Sequence, residues 1–188
     1  MSEKVTSFVP IQLGTFRYIY LLVTWNDFIT PIREELKKQA DPFGEILGLK
    51  GTVVQAFRTM SSGTFQEVVG KNWDTATRKR MEADQDPFML VIDQDFQAFD
   101  PSQHPWGVIW FSDFWKNTDS IYRLFAALAR KTQEDEDVFA YLRSVAEKST
   151  VGKWGKLASY VELKPKLFGI SIDVGAILED LTQDRSSM

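Results

Sequence analysis

Two runs of side chains constrain the fold of this chain more than anything else in it. Tyr18-Ile19-Tyr20-Leu21-Leu22-Val23 and Phe88-Met89-Leu90-Val91-Ile92 are apolar or aromatic at every position. An extended strand points successive side chains to opposite faces, so an uninterrupted apolar run needs both faces of its sheet covered. Helices on both sides of a sheet meet that need, and the segments between the runs supply them. Thr30-Pro31, with Glu34 and Glu35 behind it, marks a helix start. It combines a capping hydroxyl, a proline at the first helical position, and acids that favour the positive end of the helix dipole. The same helix is expected to break near Asp41-Pro42, because proline lacks the N–H that the helix interior needs.

The other elements follow from spacing. Gly48 and Gly51 lead into a second strand over 52–57. Thr64-Phe65-Gln66-Glu67 has capping-box spacing, and Phe65, Val68, Val69 and Trp73 share one helical face. A further helical piece is expected around 76–83. The run at 88–92 is the third strand, and a connector over 93–105 leads to a fourth at 107–112. Ile121, Leu124, Phe125 and Leu128 form an amphipathic stripe, predicting a helix over about 119–131. Val138, Leu142 and Val145 predict another after the acidic run Glu134 to Asp137. A strand near Tyr160 to Lys164 is expected next. Phe168, Ile170, Ile172 and Val174 then alternate as in a half-exposed strand, and Asp173 caps a last helix carrying Ile177, Leu178 and Leu181.

The element order is therefore β-α-β-α-β-β-α with an added tail. It predicts an α/β fold: a mainly parallel four-stranded sheet flanked by helices, with a C-terminal α+β extension. The chain divides into an N-terminal arm (1–15), a core domain (16–131) and the extension (132–188). That extension covers an edge of its own sheet or pairs with a second copy. If Phe168, Ile170 and Ile172 are not buried within their own chain, a dimer is expected.

Composition removes whole classes of chemistry. A formal net charge of −4 with 44% apolar residues suits one folded domain rather than a disordered chain. No apolar run approaches the roughly 18 residues of a membrane helix. The start, Met-Ser-Glu-Lys, lacks the apolar stretch of a secretory signal, so a cytoplasmic location is expected. Zero cysteines exclude disulfides, thiol nucleophiles, thiolate zinc sites and iron–sulfur ligation.

The order of elements over roughly residues 16–131 is similar to that of the thioredoxin-like fold, down to Pro87 immediately before the third strand. The resemblance is one of topology. It departs at the segment after the first strand, Trp25-Asn26-Asp27-Phe28-Ile29, which carries no cysteine, so the redox activity of that fold is excluded. A ferredoxin-like sheet, with a short strand near Arg58 to Gly63, is the alternative arrangement.

The stretch from Met81 to Trp115 stands apart in composition. It contains Glu82, Asp84, Asp86, Asp93, Asp95, Asp100 and Asp113 and no lysine or arginine, and it is rich in Phe and Trp. Acidic groups beside aromatic anchors suit a protein partner, basic in character, or self-association. On this reading the chain is a non-catalytic interaction or assembly module without a cofactor. Phe96, Phe99, Asp100, Phe114 and Trp115 are its candidate contact residues.

A second reading makes the same segment a divalent-cation site. Mg²⁺ and related ions take hard oxygen ligands, and ligands gather outside the carboxyl ends of parallel strands. Asp93 and Asp95, in the D-x-D form after the third strand, with Asp113 after the fourth, are the candidate ligands, and Asp100 could assist. The chain would then be a small enzyme acting on a phosphate-containing substrate. His104, the single histidine, cannot build a triad or a two-histidine metal site but lies near Asp100 as a lone base. No G-x-G-x-x-G or Walker loop is present, and Gly152-Lys153-Trp154-Gly155-Lys156 reads as a turn. Ser61-Ser62-Gly63-Thr64 offers only what any capped helix start offers an anion. Arg78-Lys79-Arg80 reads as a solvated helix face, and with a net negative chain no nucleic-acid partner is expected.

Overall fold

A computed structural model of the chain describes residues 2–4, 16–25, 31–58, 63–83, 87–111, 118–151 and 169–173. In chain order the elements are β1 (Ser2–Lys4), β2 (Tyr18–Trp25), α1 (Pro31–Leu47), β3 (Gly51–Arg58), α2 (Gly63–Val69) and α3 (Thr75–Ala83). They continue with β4 (Phe88–Ile92), β5 (Trp106–Trp110), α4 (Thr118–Gln133), α5 (Val138–Val151) and β6 (Gly169–Asp173). The strands form one six-stranded sheet in the order β1-β3-β2-β4-β5-β6.

The covering of both sheet faces follows from the runs in β2 and β4. Tyr18, Tyr20 and Leu22 of β2 join Met89 and Val91 of β4 in a core with Leu36, Phe43 and Leu47 of α1, Leu124 and Leu128 of α4, and Leu142 of α5. The alternate residues, Ile19, Leu21, Val23, Phe88, Leu90 and Ile92, face the opposite way. There they meet Phe65, Val68 and Val69 of α2, Trp73, and Met81 of α3. Each strand residue has a helix layer on its own side, so every residue of β4 is 0% exposed. The fold is thus α/β with a mixed sheet flanked by helices. Among the described residues no helix is long and apolar enough to cross a membrane.

The expectation of a mainly parallel sheet is corrected. The four expected strands lie side by side as β3-β2-β4-β5, but of their three pairings only that of β2 with β3 is parallel, because β4 runs against both of its neighbours. β4 runs antiparallel to β2, pairing Ile19 with Ile92 and Val23 with Phe88. β5 runs antiparallel to β4, pairing Ile92 with Trp106 and Phe88 with Trp110. The link between β4 and β5 contains turns and no helix, and without a helical crossover a neighbouring strand returns in the opposite direction. The outer strands restore parallel pairing, β1 with β3 and β6 with β5.

Helix α1 also departs from expectation, continuing through Pro42 to Leu47. The proline forgoes one helical hydrogen bond, yet Phe43 and Leu47 beyond it are 1% and 0% exposed. Burial of two large side chains, each contributing about 1.5–3 kcal/mol, outweighs the local penalty. At the helix end Gly48 takes φ 57°, the left-handed conformation that ends helices most cheaply at glycine.

Part of the N-terminal arm is strand, since Ser2–Lys4 is β1. In the extension, β6 pairs within its own chain along β5. Phe168, the strand expected at 160–164, the last helix at 177–181 and the extra strand expected near 58–63 lie wholly or mainly outside the described residues.

Candidate functional site

The connection 93–105 carries most of the candidate residues, and its shape follows from local hydrogen bonds. Asp100 builds the turn. Its Oδ1 accepts from the Ser102 backbone N–H at 2.9 Å and from Ser102 Oγ at 2.7 Å, and its Oδ2 accepts from Gln103 Nε2 at 2.9 Å. The Ser102 bonds, backbone first, hold the Asp100 carboxyl below the usual carboxylate range. The Asp100 backbone N–H in turn donates to His104 Nδ1 at 3.0 Å. That nitrogen is therefore an acceptor already in use, which leaves only Nε2 of the lone histidine for any other task.

A second set of bonds ties the connection to the link between α2 and α3. Lys71 Nζ donates to the Phe96 carbonyl at 2.7 Å and to that of Gln97 at 3.3 Å, and it lies 4.7 Å from the centre of the Phe96 ring. Burial holds the Lys71 ammonium below its ordinary pKa. Asn72 Nδ2 donates to Ser102 Oγ, and Trp106 Nε1 donates to the Pro101 carbonyl at 3.0 Å. Trp73 packs edge-on against Trp106 at 4.9 Å and tilted against Phe99 at 5.8 Å.

These contacts correct one expectation. Phe96 and Phe99 are each 2% exposed and belong to the core on the α2–α3 side of the sheet. Within this chain they have no surface to offer a partner. What the connection turns outward is mainly polar: Gln97, Ser102 and Gln103 are exposed together with the small Ala98, and Asp95 and Asp100 are half-buried. Phe114 and Trp115 lie outside the described residues.

Asp93 sits just past the last residue of β4. Its Oδ1 is buried and has no hydrogen-bond partner among the described residues. Burial raises its carboxyl pKa, opposed by hydrogen bonds from its own backbone N–H and the Gln94 side chain and by His104; Asp137 adds to the rise. Asp137 is the N-cap of α5, its Oδ1 accepting from the N–H groups of Phe139 at 2.9 Å and Ala140 at 3.1 Å. Beside it the Val138 N–H donates to Tyr18 Oη at 3.3 Å, and burial raises the Tyr18 phenol. Asp93 thus feels the charges of His104 and Asp137, and Tyr18 those of Asp137 and Asp93, at one end of the sheet.

The antiparallel pairing bears on the proposed cation ligands. Asp93 follows Ile92, which pairs with Trp106 at the start of β5. Phe111, the last described residue before Asp113, sits at the other end of β4, where its N–H donates to the Pro87 carbonyl at 3.0 Å. The shared strand end expected from parallel strands is absent, and Asp113 itself lies outside the described residues. Among the described residues no three acidic or histidine side chains come together as a metal-ligand set.

Arg33, in the first turn of α1, was not anticipated and is only 7% exposed. Its signal is readable in hindsight. Arg33, Leu36, Ala40, Phe43 and Leu47 recur at intervals of three and four, so the arginine occupies the first position of the inward seam. Comparison of the chain with known protein families, curated proteins and solved structures found no match.

Proposed function

We propose that the chain is a non-catalytic interaction or assembly module on a thioredoxin-like scaffold. Strand order supports the scaffold, and the absence of cysteine supports its use without thiol chemistry. The order β1-β3-β2-β4-β5, with β1, β3 and β2 parallel and β4 antiparallel to both β2 and β5, is similar to that of the thioredoxin-like fold. The stretch from the end of β2 into α1 holds Trp25, Asn26, Asp27 and the buried Arg33 but no cysteine, so thiol chemistry has no nucleophile here.

The observation that carries the interaction reading is the connection 93–105. Its aromatic side chains are committed to the core, Lys71 and Trp106 hold its backbone, and Asn72 holds the Ser102 hydroxyl. The result is a fixed rim of Asp95, Gln97, Asp100, Ser102 and Gln103. A surface that is ordered before binding loses less entropy on association, and an acidic one favours a basic partner. The contact face is thus the polar side of this connection, and the partner is a basic protein segment or a basic surface of a second copy.

The test is an NMR titration of the full chain with an arginine-rich peptide, beside a concentration series without peptide. Shifts centred on 93–105 in either series, reduced in Asp95→Lys, support the reading. An unchanged segment in both series contradicts it.

A further inference from the structure

We draw no further inference here: the strongest candidate, the Asp93 and Asp137 carboxylates gathered at the carboxyl end of β4, belongs to the site already described and has beside it no second feature that points to a ligand.

Discussion

Tyr20 Oη and Thr132 Oγ1 meet at 2.6 Å in the interior between β2 and α4, where both residues are 0% exposed. Thr132 Oγ1 also donates to the Leu128 carbonyl at 2.9 Å. A hydroxyl has one proton, so Thr132 spends its own on Leu128 and Tyr20 is the donor between the two. Burial pushes the Tyr20 phenol far above its ordinary range despite the Thr132 bond, and the group stays neutral across the range in which proteins fold.

A mutational asymmetry follows. Thr132→Ala leaves the Tyr20 hydroxyl buried without its acceptor and is expected to cost about 1–3 kcal/mol. Tyr20→Phe removes the donor, leaves Thr132 bonded to Leu128, and is expected to cost about 1 kcal/mol. Urea denaturation of both single variants and the double variant measures the difference. The double variant should cost less than the two single costs added.

Asp93 makes stability depend on pH with a defined sign. Its folded-state pKa is raised above the ordinary value of about 3.9. The stabilisation from binding a proton there is fully present below that ordinary value and is lost as pH rises through the raised one. Asp93→Asn removes this dependence. Relative to the wild type, the variant should therefore gain stability between acidic and neutral pH, read from unfolding midpoints in buffers across that window.

Lys71 holds the connection 93–105 through two backbone carbonyls. Lys71→Met keeps much of the aliphatic stem and deletes both hydrogen bonds, at an expected cost of about 1 kcal/mol. The local effect should exceed the global one. Hydrogen exchange should accelerate at the amides of Phe99, Gln103 and His104, which close the turns of this connection, more than at those of β2.

Pro42 is exposed within α1. Pro42→Ala restores a backbone donor in the helix interior and relieves the clash with the carbonyl four residues earlier. Because proline costs about 3 kcal/mol there relative to alanine, the variant is expected to unfold at a higher temperature than the wild type. A thermal scan followed by circular dichroism checks this.

Pro42 also illustrates how far the fold was legible in the sequence. The proline rule is local and predicts a break. Phe43 and Leu47 are held in the core by residues far away in the chain, Phe125 stacking on Phe43 at 4.7 Å. Strand identity was readable because the runs at 18–23 and 88–92 can only be two-sided. Strand direction was not, since an apolar run reads the same either way. The missing helix between 93 and 105 was the available clue to antiparallel β5.

The site was legible in composition and not in exposure. The acidic bias marks the segment on which the proposal rests, and Asp100 and Ser102 have the spacing of a turn. Phe96 and Phe99 sit three residues apart in a polar connector and give no sign of facing inward. That became visible only when Lys71 and Trp73, from another part of the chain, closed over them.

The most direct test sets two calorimetric titrations of the full chain side by side, one with an arginine-rich peptide and one with Mg²⁺ and Ca²⁺. The account predicts saturable heat with the peptide, weakening as salt rises and reduced in Asp95→Lys. Saturable cation binding that Asp93→Asn abolishes, with no heat from the peptide, would contradict it.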